Sequence, residues 1–324
     1  MDVRAGSALK RALVTGVGGQ DGSYLAELLL ENDYEVVGVV RDESTEYVNL
    51  AGVRDRVELR RADLLDSRAL ASLLQEHRPH EVYNLASPSF VPRSWDYPVE
   101  TAEFAAVGVT SLLEAVREVD PAIRVYQASS SEIFGLPSDV PQTETTPLAP
   151  VTPYGVAKAY GHLIVGSYRR RYGLHGSCGI LYNHESPRRP ANFLPSKVAH
   201  GVAAIAKGES TELSLGDLDA ERDWGYAPDY VRAMWLMLQQ DEPNDYIVAT
   251  GELHTVGELV ETAFAHAGLD WRAHVRIDES LLRGQAELYR LVGDPVRART
   301  TLAWSPSVSF DELVRLLVDA ALAA

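Results

Sequence analysis

The chain has 324 residues, 46% of them hydrophobic and 23% charged, with a formal net charge of −16 and a pI near 5.0. That length can bury a large core, as one α/β unit or as two lobes, while the acidic balance lacks the basic footprint that nucleic-acid binding requires. The single cysteine, Cys178, excludes an internal disulfide, fits a reducing compartment and sits in an apolar stretch that reads as core.

No apolar stretch reaches the ~18 residues of a membrane span, and the run after Lys10 and Arg11 is too short for a signal peptide. The chain therefore reads as cytoplasmic, with neither a membrane nor a nucleic acid as partner. In chain order, the first predicted strand is RALVTG (11–16), and it runs into GVGGQDG before a helical pattern at 24–32. Gly16, Gly19 and Gly22 thus lie between a strand and a helix. Small residues there let a backbone approach a pyrophosphate, and the helix N-terminus offers free N–H groups.

A second strand (35–40) is followed by Arg41 and Asp42. A carboxylate at this point favours the ribose hydroxyls of NAD, an arginine the 2′-phosphate of NADP, and the pair leaves the choice open. A third strand (57–62) delivers Asp63, which reads either as an adenine contact or as a helix cap. After a helical pattern at 68–77 come a strand at 81–86, a helix at 109–119 and a strand at 124–129 ending in Ser129, Ser130, Ser131 and Glu132. Serines make an ordinary turn at a strand end; a carboxylate at that edge is harder to explain by folding.

The next helical pattern, 154–172, places Tyr154 and Lys158 four residues apart on one face. An ammonium beside a phenol favours the phenolate and lowers its pKa, so the tyrosine can accept a proton from a substrate hydroxyl. A strand at 176–182 is the sixth, and the alternation of these strands with four helical patterns is that of a parallel sheet covered on both faces. The expected fold is a doubly wound, Rossmann-type α/β sheet with a smaller C-terminal α/β substrate lobe. Residues 1–183, plus about 223–254, form the dinucleotide-binding domain, and about 184–222 and 255–324 the second lobe. Helices are predicted at 226–240 and 255–268, a returning strand at 245–251, and an amphipathic helix at the C-terminus.

The glycine-rich turn, the serine after a central strand and the Y-x-x-x-K pair together resemble the extended short-chain dehydrogenase/reductases over roughly residues 9–320. Within that family, VTGVGGQDGSYLAELLLE, LYNHESPRR (181–189), RDWGYAPDYVRAMWLMLQQ (222–240) and LVGDPVRA (291–298) are similar to the GDP-mannose 4,6-dehydratases. The Ser131–Glu132 pair is shared with those enzymes and with UDP-glucuronate decarboxylases, whereas dTDP-glucose dehydratases carry Asp–Glu. The decarboxylases lack N-H-E-S-P-R-R.

The resemblance implies a mechanism. Tyr154 takes the 4-OH proton as hydride leaves C4 for NADP, Glu132 takes the C5 proton and helps expel the C6 hydroxyl, and hydride returns to C6. Ser130 would hold the reacting oxygen, and Lys158 the cofactor ribose as well as the tyrosine. It further implies cofactor contacts at Gly16, Gly19, Gln20, Asp21, Gly22, Arg41, Asp63, Leu64, Leu85, Ala86, Ser87, Lys158, His184 and Arg189. Nucleotide-sugar contacts are implied at Ser89, Asn183, Lys197, Arg222 and Glu287, and no metal is called for. The implied partner is GDP-mannose, the cofactor NADP (NAD being the alternative set by Asp42 and the short loop after Arg41), and the assembly a homodimer or tetramer.

Three stretches depart from the family pattern. The loop after the second strand is short. GQAE (284–287) keeps Glu287 but has Gly284 where arginine is expected. Pro88, Phe90 and Arg93 occupy positions that usually differ. A related dehydratase, epimerase or decarboxylase acting on another sugar nucleotide is the competing reading.

Overall fold

The structure, a computed structural model, describes residues 9–282 and 290–324. Glu287, with Arg283 and Gly284, lies outside the described residues. The first half builds β1 (Lys10–Thr15), α1 (Gln20–Glu31), β2 (Tyr34–Val40), β3 (Val57–Arg61), α2 (Ser67–His77) and β4 (Glu81–Asn84). These are followed by the short helices α3 (Arg93–Asp96) and α4 (Pro98–Ala102), a π-helical turn (Glu103–Val107), α5 (Gly108–Val119), β5 (Arg124–Ala128), α6 (Pro153–Tyr172) and β6 (Gly176–Leu181). β4 and β6 are buried throughout, as expected of strands with helices on both faces.

The second half contributes β7 (Asn183–Glu185), α7 (Leu194–Ala206), β8 (Leu213–Leu215), β9 (Glu221–Arg222), β10 (Trp224–Tyr226), α8 (Ala227–Leu238) and β11 (Asp245–Val248). It ends with β12 (His254–Thr255), α9 (Val256–His266), α10 (Trp271–His274), β13 (Val275–Ile277), α11 (Val296–Leu302) and α12 (Phe310–Ala323). β11 returns to the main sheet beside β6, giving seven strands in the order β11-β6-β5-β4-β1-β2-β3, every pair parallel. The chain reverses its winding between β1 and β4. The crevice outside the C-terminal ends of these two strands is where such sheets bind ligands.

α8 packs on the same face as α1, with Met234 and Met237 fully buried against Leu25, Leu29 and Tyr126. A separate core forms from α7, α9, α12, β8 and β13 around Val202, Val260, Phe264 and Val318. Two short strand pairs, β7 with β10 and β9 with β12, lie outside the main sheet.

α1 begins at Gln20, four residues before the predicted start, so Gly22 falls inside its first turn. A Cβ at Gly22 would collide with Gly16 O and come within 2.6 Å of Val17 Cα, so only glycine lets the helix start this close to β1. Beneath the crevice a buried polar ladder crosses three strands. Thr15 Oγ1 donates to Asn84 Oδ1 (2.7 Å), Asn84 Nδ2 donates to Gln127 Oε1 (2.7 Å), and the backbone N–H groups of Leu85 and Ala86 donate to Thr15 Oγ1. Fully satisfied networks of this kind rigidify a core, and this one fixes the strand ends that frame the site.

Candidate active site

A cavity of about 790 Å³ opens along the C-terminal edge of the sheet, from the glycine-rich turn and the ends of β2 and β3 to the start of α6 and β7. At the turn, no side chain caps α1, so its first-turn N–H groups stay available, and Gly16 has φ +69 with Ala86 packed against it. Backbone donors without a side-chain cap, on a glycine surface at the positive end of a helix dipole, fit a pyrophosphate. The residues present therefore suit a dinucleotide.

At the other end, β5 runs out at Ala128 and the chain turns through Ser130, whose Oγ accepts the Glu132 N–H (3.2 Å). α6 starts where it does because Thr152 caps it (Gly155 N–H to Thr152 Oγ1, 2.9 Å) and Pro153 supplies the first helical residue. Its first two turns bury Tyr154 and Lys158 against that strand end. Lys158 Nζ donates to Ala128 O (3.0 Å) and lies 5.6 Å from the Tyr154 ring centroid. Ser130, Glu132, Tyr154 and Lys158 all line the cavity.

The protonation pattern differs from expectation at one point. Burial pushes the Tyr154 phenol up to about 12; a hydrogen bond with Ser130 opposes this and the Glu132 charge adds to it. Lys158 does not reverse the shift, and burial depresses Lys158 itself to about 8. Desolvation is the largest influence on both groups.

Of the other predicted residues, Gly16, Gly19, Gln20, Asp21, Gly22, Arg41, Asp63, Leu64, Leu85, Ala86, Ser87, His184 and Arg189 line the cavity, as do Ser89 and Asn183. Asp63 caps no helix: its carboxylate accepts the Leu65 N–H, while Asp66 caps α2. Lys197, on α7, and Arg222 do not line the cavity. Lys197 donates to Ser214 O (2.7 Å), and Arg222, on β9, donates to Glu221 O (2.7 Å).

Asp21 and His184 form an ion pair (2.9 Å) that ties the glycine-rich turn to β7. Gln20 reinforces it, donating to His184 O and accepting from Ser186 Oγ. His184 Nδ1 faces Tyr182 O (2.7 Å) while Nε2 faces the Asp21 carboxylate; both partners accept, so both ring nitrogens must carry protons. Burial opposes that charge, but Asp21 prevails and His184 is raised above its usual value. Burial likewise opposes Asp21, yet the imidazolium, its hydrogen bond and Gln20 bring the carboxyl down to about 2. Arg189 stacks on Phe193 (3.7 Å) with Glu185 3.3 Å from its Nε.

Several cavity residues were not anticipated as contacts: Tyr47, Arg61, Phe104 and Tyr182. Arg61 carried a readable signal, since it is the next-to-last residue of the third predicted strand, two before Asp63.

The model of the GDP-mannose 4,6 dehydratase family matches residues 13–317. The chain belongs to that family. It is 46% identical to GDP-mannose 4,6 dehydratase 1 of Arabidopsis thaliana, over 96% of this chain and 89% of the plant protein. To the GDP-mannose 4,6 dehydratase of Homo sapiens it is 44% identical, over 98% and 93%. Among solved structures, the UDP-glucose 4-epimerase of Thermus thermophilus in complex with NAD superposes with a TM-score of 0.84 at 30% identity, covering 97% of this chain and 99% of that one. Much of the family-like sequence holds the frame here. In RDWGYAPDYV, the buried Asp223 accepts from Thr250 N, Thr250 Oγ1 and Gly251 N, and Asp229 accepts from Ser307 N and Oγ. In NHESPRR, Arg188 reaches Ser23 and Glu27 and stacks on Tyr24 (3.9 Å).

Proposed function

We propose that the chain is a GDP-mannose 4,6-dehydratase that uses NADP. The observation that carries this reading is the meeting of Ser130, Glu132, Tyr154 and Lys158 at one end of a dinucleotide-shaped cavity, in a chain of this family. The cofactor supplies a hydride acceptor for C4 and a donor for C6. Ser130 holds the sugar's O4 and Tyr154 takes its proton. Glu132, two residues beyond Ser130 on the same turn, is a second base, aimed at C5 once C4 is a ketone and that proton is acidic. The proton it takes follows the departing C6 hydroxyl as water, and one proton returns to C5.

Gly16, Gly19, Gln20, Asp21 and Gly22 hold the pyrophosphate end, with Asp63 and Leu64 beside the adenine and Leu85, Ala86, Ser87, His184 and Arg189 along the rest of the groove. Ser89 and Asn183, which line the cavity, face the sugar. Exposed apolar side chains at Val156, Tyr160 and Leu163, spaced i, i+4, i+7 on α6, support a homodimer. Among the described residues no helix is long and apolar enough to cross a membrane, in keeping with a cytoplasmic enzyme.

The test is incubation of the purified protein with GDP-mannose and NADP+ and mass analysis of the sugar nucleotide. A product lighter by one water is expected. No such product from GDP-mannose, with one from another sugar nucleotide, overturns the substrate assignment.

A further inference from the structure

The adenosine end of the cavity is closed by two arginines from adjacent strands. Arg41 leaves the end of β2, and Arg61 is the last residue of β3, in register beside Val40. Both line the cavity, and among the described residues neither guanidinium has a hydrogen-bonding partner. Arg41 is steadied instead by the Phe104 ring, 4.4 Å below its Cζ.

The acid between them is turned aside. Asp42 accepts from Ser44 N (2.9 Å) and Ser44 Oγ (2.7 Å) and does not line the cavity. Its charge is felt by Arg61 only across exposed surface. The short loop is held in that fold from both sides: Tyr47 Oη donates to Asp42 O (2.9 Å), and Glu43 accepts the Arg61 backbone N–H (2.7 Å). Locking Asp42 outward removes the carboxylate that would grip ribose hydroxyls and repel a phosphate. Two uncommitted guanidiniums on neighbouring strand ends, at the β2–β3 side of the crevice, form a fork for a dianion.

We propose that Arg61, together with Arg41, binds the 2′-phosphate of NADP and that Arg61 is a determinant of NADP over NAD. This rests on the cofactor reading above and adds to it the residue that compensates for the short loop. The fork comes from one chain, so selectivity needs no neighbouring subunit.

The test is calorimetric titration of the purified protein with NADP+, NAD+, 2′,5′-ADP and 5′-ADP, comparing wild type with R61Q, R41Q and the double variant. Wild type should prefer NADP+ to NAD+ and 2′,5′-ADP to 5′-ADP. Each single variant should weaken the 2′-phosphorylated ligands by about 10- to 100-fold, the range for losing a charged hydrogen bond, and leave NAD+ and 5′-ADP within about twofold. Because the unphosphorylated ligands report an intact site, a misfolded variant reveals itself by losing all four. If R61Q weakens all four equally with its melting temperature preserved, Arg61 serves the shared adenosine and the proposal falls. It falls equally if R61Q leaves the preference untouched. If wild type itself shows no preference, the NADP reading fails first, and the two failures are told apart.

Discussion

Asp21→Asn tests the buried ion pair that joins the glycine-rich turn to β7. The Asp21 carboxyl lies at about 2 against an ordinary 3.8. That is nearly two units at about 1.4 kcal/mol each, so the pair contributes roughly 2 kcal/mol. The sign follows from both partners. Asp21 is depressed, so its share is present above about 3.8 and lost as pH falls toward 2. His184 is raised, so its share is complete below 6.5 and lost as pH rises through its folded value. The full contribution therefore spans about pH 4 to 6.5. Arg189 and Glu185 also face the pair, with opposite charges, and Glu185 is itself raised by burial.

Urea unfolding of wild type and D21N at pH 5.5 and pH 9 gives the readout. D21N should be less stable by about 2 kcal/mol at pH 5.5, with a smaller gap at pH 9. Imidazole titration by NMR should place His184 above 6.5 in wild type and below it in D21N. A wild-type His184 titrating at or below 6.5 refutes the doubly protonated ring. A stability gap that does not change with pH refutes the ion pair as its source.

Glu132→Gln should lower the rate of water loss by about 10²- to 10⁴-fold without abolishing C4 oxidation, followed as the absorbance of the reduced nicotinamide in a single turnover; unchanged dehydration would remove Glu132 from the chemistry. Asn84→Ala strands Thr15 and Gln127 in a buried ladder and should cost about 1 to 3 kcal/mol in urea unfolding. Lys158 loses its charge as pH rises through about 8, so NADP+ affinity measured by titration should fall above that pH in wild type and stay flat in K158M. Leu163→Glu puts a charge on the exposed stripe of α6 and should shift a dimer toward monomer in light scattering, with melting temperature retained.

The alternation of strands and helices was legible because parallel strands buried on both faces read as apolar runs, and β4 and β6 are such strands. The start of α1 was not, because Gln20, Asp21 and Gly22 look like turn residues until the close approach to Gly16 O shows that glycine is needed inside the helix. α3, α4 and the π-helical turn escaped notice because they are short and interrupted by Pro98. The Y-x-x-x-K pair was readable from spacing, but its protonation was not. Spacing reports that two groups are near each other, whereas the sign of a pKa shift depends on how much water both have lost.

The same distinction separates the two arginines at the adenosine end. Arg41 follows β2, where any reader of such a sheet looks for the group that chooses between cofactors, and Asp42 beside it left the choice open. Arg61 is twenty residues on, and only the register of β2 with β3 brings it to the same corner. The surroundings of Arg41 and Asp42 are partly local and partly distant: Ser44, two residues on, takes the carboxylate, Glu43 fastens the loop to the Arg61 backbone, and the distant Phe104 takes the face of the guanidinium. On the proposal above, a dipeptide that carries both signs acquires its preference from its own loop together with Phe104 and Arg61 on two other segments. Exchanging Ser44 for alanine should therefore free Asp42 and narrow the gap between NADP+ and NAD+ affinities. A gap that stays constant in S44A would mean that Asp42 is kept from the ribose by the loop backbone alone.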